Sequence, residues 1–153
     1  MAATPVYLTT PLYYVNASPH IGHSYTEVAA DCLARYHRLR GDDVFFLTGT
    51  DEHGEKIAQA AAAKGLPPKA FVDEASETFR QLWVLLGIEG YDRFIRTTDP
   101  DHERCVQRIL STLKDKGKLE KGIYEFWYCT PCETSFGLSE IDATSPLCLN
   151  CRR

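Results

Sequence analysis

The sequence predicts an α/β fold built around a parallel sheet. Short β-branched or aromatic runs alternate with longer segments of helical spacing through residues 1–65. The run Val44–Leu47 is apolar without interruption, which is typical of a parallel strand buried on both faces. Polar loops that contain glycine follow both predicted strands, and such loops meet at the edge of a parallel sheet where ligands bind. The sequence therefore indicates a right-handed βαβ beginning with a ligand crevice at the strand ends.

The first elements follow from local patterns. Val6–Thr10 is predicted to be a buried strand because it is short, rich in β-branched and aromatic residues, and followed at once by Pro11. Residues 11–22 lack helical periodicity and are predicted to form a loop. An amphipathic helix is predicted to begin at His23 and to stop at Gly41.

The second strand is predicted to end in a turn at Thr48–Asp51. A helix of good intrinsic propensity is predicted from about Glu55 to Lys64, before a glycine. Two further helices are predicted over about 67–86 and 100–117, and each has proline in its first turn.

The C-terminal part of the chain has a different character. Ile123–Tyr128 is strand-like and leads into a segment rich in cysteine, glycine, proline and asparagine. We predict a boundary near residue 118 that separates residues 1–117 from a loop-rich metal-binding module at 118–153.

Composition excludes several classes of protein. The 153 residues are 44% hydrophobic and 25% charged, which is ordinary for a globular domain and unlike a disordered or collagen-like chain. The net charge of −4 gives no electrostatic sign of nucleic-acid binding. No Lys or Arg precedes Arg35, so neither a secretory signal nor an Arg-rich transit peptide is indicated, and the apolar runs are too short to span a bilayer. We expect a reducing compartment, cytoplasmic by default with an organelle matrix as the alternative, and no membrane contact.

The segment Pro19–His23 carries two imidazoles, His20 and His23, around Gly22 where a loop passes into a helix. A helix N-terminus favours anions, and glycine lets a phosphate approach the backbone. Two imidazoles at this point can donate hydrogen bonds to phosphoryl oxygens that gain charge in a transition state. The alternative is an ordinary pair of histidines beside a turn, but the position after the first strand favours phosphate binding.

The segment Thr48–Gly54 places Asp51 after the second strand. A carboxylate at this edge of the sheet can pair with the ammonium group of a ligand. It can equally cap the helix predicted from Glu55, and both interpretations stay open.

Six cysteines require an explanation other than disulfides in a reducing compartment. Two C-x-x-C pairs separated by fifteen residues favour a closed tetrahedral Zn²⁺ site over a pair of redox motifs. Cys32 and Cys105 lie in helical patterns and are predicted to be small buried apolar residues. The predicted zinc ligands are Cys129, Cys132, Cys148 and Cys151.

Three segments together resemble the class I aminoacyl-tRNA synthetases, and most closely the methionyl-tRNA synthetase family. The resemblance runs over practically the whole chain. His-Ile-Gly-His by itself indicates only class I, whereas the approach to it, the Gly-Thr-Asp-Glu-His-Gly turn and the zinc knuckle point to the methionine enzymes. The segments that carry it are Thr9–His23, Thr48–Gly54 and Trp127–Glu133.

This resemblance implies a Rossmann-like domain interrupted by a connective insertion that carries zinc. Residues 1–117 would form the first half of the catalytic domain with the start of that insertion, and residues 118–153 would form the zinc knuckle. The implied reaction joins methionine to ATP, supplied with Mg²⁺, as methionyl-adenylate and transfers the methionyl group to tRNA(Met).

The resemblance also assigns roles to individual residues. His20 and His23 would bind ATP and stabilise the transition state at the α-phosphate, and Gly22 would give room for the nucleotide. Asp51 would pair with the ammonium group of methionine. Leu12 and Tyr14 would flank its side chain, and the four cysteines would hold Zn²⁺ away from the chemistry.

The chain departs from the family in length. It has no Lys-Met-Ser-Lys-Ser-like loop, no second half of the nucleotide-binding fold and no helical anticodon-binding domain. We therefore expect an N-terminal fragment that does not catalyse by itself. The alternatives are another class I ligase, a non-catalytic remnant that serves in binding, or a nucleotidyltransferase of the same superfamily.

Overall fold

The computed structural model describes residues 3–142, 144 and 146–153. The chain divides into two compact units, of which the N-terminal unit ends at Val106 and the C-terminal unit begins at Gln107. This division lies earlier in the chain than the boundary predicted near residue 118. Within the described residues, no helix has both the length and the apolar character needed to cross a membrane.

The N-terminal unit contains a four-stranded parallel sheet centred on one long strand. The strands are β1 (Pro5–Thr9), β2 (Tyr13–Tyr14), β3 (Asp43–Asp51) and β4 (Arg93–Arg96). Strand β3 pairs in parallel with each of the other three. The parallel α/β prediction is therefore confirmed.

The described helices lie close to the predicted positions, between these strands or, for the last of them, after β4. They are α1 (Ile21–Leu39), α2 (Glu55–Ala63), α3 (Pro68–Leu85) and α4 (Pro100–Asp115). Gly41 and Gly65 follow α1 and α2 with φ of 81° and 67°, left-handed conformations that favour glycine at a helix end. Helix α1 begins at Ile21 rather than at His23, because the side chain of His20 caps it.

One loop prediction and one turn prediction were wrong, and one strand was missed. Residues 11–22 are not all loop, because β2 lies within them; Thr48–Asp51 is the end of β3 rather than a turn; and β4 was not predicted. The reason is long-range pairing: residues at the end of β3 are opposite β2 on one side and β4 on the other. Such partners are invisible in a local sequence pattern.

Burial also differs from the prediction. Tyr7 of β1 and Phe45 of β3 are 63% and 46% exposed, although both strands were predicted to be buried. The two rings are opposite in register and stack on each other at 5.9 Å, while Phe46 on the other face is fully buried. The described elements thus cover one face of these strands.

Cys32 and Cys105 are likewise exposed rather than buried, because they lie on helix faces that the described elements leave open.

One apolar cluster fills the N-terminal unit and reaches the candidate site. It joins the loop around β2 to α2 and α3, so the position of β2 depends on this core. Its buried members are Tyr13, Val15, Ile57, Ala61, Phe71, Val72, Phe79, Trp83, Ile88 and Phe94.

Gly49 lies where β3 and β4 approach most closely. A Cβ atom added there would lie 1.9 Å from the carbonyl oxygen of Ile95, which is backbone and cannot rotate away. We expect Gly49→Ala to lower the free energy of unfolding by about 3 kcal/mol, at the upper end of overpacking changes. Urea unfolding of the 153-residue chain measures this. Gly122→Ala is the matched control, because its Cβ would meet no atom within 4 Å; equal stability of the two variants would contradict the prediction.

The C-terminal unit contains a small hairpin of β5 (Phe126–Cys129) and β6 (Thr134–Gly137). These strands are antiparallel, with Trp127 opposite Phe136. The predicted strand at Ile123–Tyr128 is present but is shifted towards the cysteines. Phe136, Ile141 and Cys148 form a small buried cluster with the other cysteines packed around it.

Candidate functional site

The two histidines form a reciprocal cap at the start of α1. The Gly22 N–H donates to Nδ1 of His20 at 3.1 Å, and the His20 N–H donates to Nδ1 of His23 at 3.1 Å. The imidazole rings stack with their centroids 3.8 Å apart. A Cβ at Gly22 would lie 3.0 Å from the His20 ring, so glycine is what allows this packing.

This cap determines which ring nitrogens can donate. Because Nδ1 of His20 and Nδ1 of His23 both accept a backbone N–H, each neutral ring carries its proton on Nε2. The pair therefore presents two Nε2–H donors at a helix N-terminus. The Gly22 amide donates to His20, so the imidazoles are the donors that this residue pair offers to an anion.

The ring of His23 rests on buried aromatic side chains. It makes an edge contact with Tyr13 at 5.0 Å and a tilted contact with Phe79 at 5.3 Å. Desolvation by these neighbours, followed by repulsion from His20, lowers the pKa of His23 below its usual value of 6.5. The ring is therefore neutral near pH 7.

The lowered pKa of His23 makes stability depend on pH. Between the folded pKa and 6.5 the unfolded chain binds more protons than the folded chain, so folding is weakened there. We expect the contribution of His23 to the free energy of unfolding to be complete above about pH 6.5 and to be lost as the pH falls below that value. Urea unfolding between pH 5 and 8 tests this, with His23→Gln as the comparison. If the difference between the two proteins did not change with pH, the prediction would be wrong.

A buried polar network lies beneath the histidine pair. The Tyr13 hydroxyl and the Thr48 hydroxyl both donate to Oε2 of Glu27, at 3.0 and 2.8 Å, and Thr48 also contacts the Thr10 hydroxyl at 2.9 Å. Glu27 is fully buried, and desolvation raises its pKa. Sequence reasoning missed this residue; the available signal was its position one helical turn after His23, on the same face of α1.

Asp51 ends β3 and is the backbone partner of Tyr14 in β2. The N-cap of α2 is Gly54, and no side chain caps that helix, so the alternative that Asp51 caps it is wrong. The Thr97 hydroxyl lies 3.4 Å from Oδ1 of Asp51. Asp51 therefore remains a carboxylate at the end of a central strand, where ligands of parallel sheets bind.

Strand β2 contacts the histidine pair through one residue and pairs with the end of β3 through the next. Tyr13 contacts the His23 ring with its side chain and is the register partner of Thr50, while Tyr14 is the partner of Asp51. Tyr14 is 49% exposed, and Leu12 just before β2 is half-buried. Tyr13 and Tyr14 are consecutive strand residues, so their side chains point to opposite faces of the sheet.

Glu52, next to Asp51, is a second residue that sequence reasoning missed. Its side chain is fully buried and receives a bidentate pair from Arg96 at 2.6 and 2.9 Å. Thr50 and Thr98 donate to the same carboxylate. Arg96 also contacts Asp73 of α3 at 2.6 Å, so the turn after β3 is fastened to both β4 and α3.

The four predicted ligand cysteines lie together in the C-terminal unit, with all sulfur atoms within 4.8 Å of one another. The short contacts join the two motifs: Cys129 to Cys151 at 3.6 Å and Cys132 to Cys148 at 3.8 Å. Tetrahedral Zn²⁺ with Zn–S bonds of about 2.3 Å requires sulfurs about 3.8 Å apart, so the donor set fits this ion. Contacts between motifs favour one four-ligand site over two separate redox pairs.

The thiols of this cluster do not ionise alike. Hydrogen bonds from the backbone N–H of Cys151 and Asn150 lower the pKa of Cys148 to about 6. Hydrogen bonding with Cys151 raises the pKa of Cys132 to about 12. Four thiolates this close repel one another, and a divalent cation removes that repulsion.

The chain matches the family described as tRNA synthetases class I (M) over residues 6–152. That range includes both histidines, Asp51 and all four clustered cysteines. The chain belongs to this family. Its membership, which the sequence predicted, is confirmed.

Similar members of the family are methionine–tRNA ligases. The chain is 50% identical over 149 residues to that of Thermotoga maritima, covering 96% of this chain and 24% of the relative. It is 53% identical over 143 residues to that of Caldanaerobacter subterraneus, covering 93% of this chain and 22% of the relative. The chain thus spans about a quarter of the length of the curated relatives it matches.

Solved structures agree with the class I fold. Mycobacterium tuberculosis methionyl-tRNA synthetase in complex with methionyl-adenylate superposes with a TM-score of 0.87 at 41% identity, over 97% of this chain and 30% of that chain. A leucine enzyme from Agrobacterium radiobacter superposes with a TM-score of 0.79 at 21% identity, over 100% of this chain and 20% of that chain. The second likeness shows the fold alone, and the Rossmann-like class I prediction is confirmed.

Proposed function

We propose that this chain forms the His-Ile-Gly-His half of the active site of a methionine–tRNA ligase. The observation that carries the proposal is the reciprocal histidine cap, which leaves Nε2 of both rings to donate at the helix start that follows β2. Relatives at about half identity bear that name, and a similar structure holds methionyl-adenylate. The reaction would take methionine, ATP with Mg²⁺, and tRNA(Met), and we place it in the cytoplasm.

In the first step a carboxylate oxygen of methionine attacks the α-phosphorus of ATP, and the bond to pyrophosphate breaks. The Nε2–H groups of His20 and His23 donate to the phosphoryl oxygens as their charge rises. Each ring can donate from Nε2 because its Nδ1 already accepts a backbone N–H. Gly22 has no side chain, which leaves room for the His20 ring and for the nucleotide beside it.

Methionine is held beside the nucleotide by three residues. Asp51 pairs with the ammonium group, which leaves the carboxylate of the substrate to react. Leu12 and Tyr14, before and within β2, flank the thioether side chain. The half-exposed ring of Tyr14 and its pairing with Asp51 support this arrangement.

We also propose a structural Zn²⁺ held by Cys129, Cys132, Cys148 and Cys151. Four sulfur ligands close the coordination sphere, so the ion has no open position for water. When bound, it supplies folding free energy to a module whose apolar core is small.

The test protein is a chimera in which this chain replaces the matching segment of the Thermotoga maritima ligase. We expect methionine-dependent ATP–pyrophosphate exchange, and no exchange with leucine, valine, isoleucine or cysteine. Asp51→Asn should raise the KM for methionine by about 10- to 100-fold, the loss expected for a hydrogen bond to a charged group. The KM for ATP should change by less than about threefold.

Asp43→Asn is the matched control, because Asp43 is exposed at the opposite end of β3. A folded chimera that activates another amino acid in preference to methionine would contradict the proposal. Equal losses for methionine and ATP in Asp51→Asn would contradict the assigned role of that carboxylate.

A further inference from the structure

We propose that Thr97 is a positioning residue that orients the Asp51 carboxylate for the ammonium group of the amino acid. This inference rests on the function proposed above. Thr97 lies just after β4, the strand that the sequence did not predict, and it is 8% exposed.

Thr97 contacts four consecutive residues at the end of β3 and in the turn that follows. Its N–H donates to the carbonyl oxygen of Thr50 at 3.2 Å, and its own carbonyl oxygen lies 3.2 Å from Nε2 of His53. Its hydroxyl accepts from the Glu52 N–H at 2.8 Å and lies 3.4 Å from Oδ1 of Asp51. One side chain thus links the turn to the neighbouring strand on both sides of the carboxylate.

The donor and acceptor roles in these hydrogen bonds define how the Asp51 carboxylate is oriented. A threonine hydroxyl has one proton, and a carboxylate can only accept. Because the Glu52 N–H donates to the Thr97 oxygen, the hydroxyl proton is available for Oδ1 of Asp51. The other oxygen of Asp51 is the one that we assign to the ligand. At 3.4 Å the Thr97–Asp51 hydrogen bond is long, so we expect it to orient the carboxylate and to add little to the stability of the fold.

Thr97 is itself held in place by its neighbours. Arg96 binds both oxygens of the buried Glu52 carboxylate, and Thr98 donates to it as well. The residues before and after Thr97 therefore clamp the same side chain. This fixes the Thr97 hydroxyl relative to Asp51 without any contact to the ligand.

The experiment measures steady-state exchange by the chimera with Thr97→Val, which removes the hydroxyl at similar volume, and with Thr97→Ser, which retains it. We expect Thr97→Val to raise the KM for methionine about five- to tenfold, the effect of one modest hydrogen bond. The KM for ATP should stay within about twofold, and Thr97→Ser should recover most of the loss. Thr78→Val, which removes an exposed hydroxyl on α3, is the matched control.

A double-substitution cycle separates positioning from packing. If Thr97 acts through Asp51, Thr97→Val should add no further rise in methionine KM when Asp51 is already Asn. Independent effects in this cycle, or equal losses for methionine and ATP, would overturn the inference and leave Thr97 a packing residue. An unsubstituted chimera without methionine-dependent exchange would overturn the proposed function as well, so the two failures are distinguishable.

Discussion

Replacing Cys148 with serine is expected to abolish tight zinc binding and to unfold the hairpin region of the C-terminal unit. The apolar cluster there has three buried members, which is too little to fold this length of chain alone. Structural zinc sites contribute about 10–16 kcal/mol of apparent binding free energy at neutral pH, and much of it is spent on folding. The loss of one ligand should therefore have the largest effect on stability of any substitution considered for this chain.

Elemental analysis and X-ray absorption measure the first part of this result. We expect about one Zn²⁺ per chain with four sulfur ligands at about 2.3 Å. Trp127, which packs against the cluster of Phe136, Ile141 and Cys148, reports the second part. Its share of the emission should shift to the red on unfolding, while the buried Trp83 of the N-terminal unit contributes a constant background.

Cys105→Ser and Cys32→Ser are the controls, since both cysteines are exposed and lie outside the cluster. Oxygen or nitrogen ligation, or a metal-free protein in which the Trp127 emission is unchanged, would refute the zinc assignment.

Replacing His20 with asparagine is expected to slow methionyl-adenylate formation in the chimera by about 10²- to 10³-fold. Asparagine is a good N-cap, so its side chain can still accept the Gly22 N–H and preserve the start of α1. It is too short to present a donor where Nε2–H of histidine lies. The substitution therefore removes the Nε2–H donor while it keeps the side-chain cap of α1.

Single-turnover formation of methionyl-adenylate gives the rate, and urea unfolding of the 153-residue chain gives the stability. We expect the free energy of unfolding to change by less than about 1 kcal/mol. His102→Asn, on α4, is the control for a histidine outside the pair. A rate within twofold of the unsubstituted chimera would show that His20 serves only as a cap.

Local sequence was sufficient for the helices and for the two recognisable motifs. Gly41 and Gly65 mark the ends of α1 and α2 because a left-handed residue is needed there and glycine adopts it readily. The spacing of the cysteines predicted a cluster because ligand number and geometry constrain spacing directly. That His20, His23 and Asp51 share one crevice stays a prediction, which rests on the rule that loops after parallel strands share one edge.

The parts of the site that were missed all depend on contacts between distant residues. Glu27 and Glu52 are ordinary polar residues in sequence, and only the packing of Tyr13 and the reach of Arg96 make them buried centres of hydrogen bonding. The same holds for Thr97, whose role exists only because β4 pairs with β3.

The amino-acid sequence by itself determined the helices and the cluster of four cysteines. The reason is that periodicity, capping and ligand spacing act over a few residues. Tertiary structure alone decided that Thr48–Asp51 extends a strand, that Phe45 is half-exposed, and that a threonine restrains the carboxylate beside it. These outcomes depend on which strand becomes the partner and which face is covered, and both are settled by the desolvation and pairing of residues far apart in the chain.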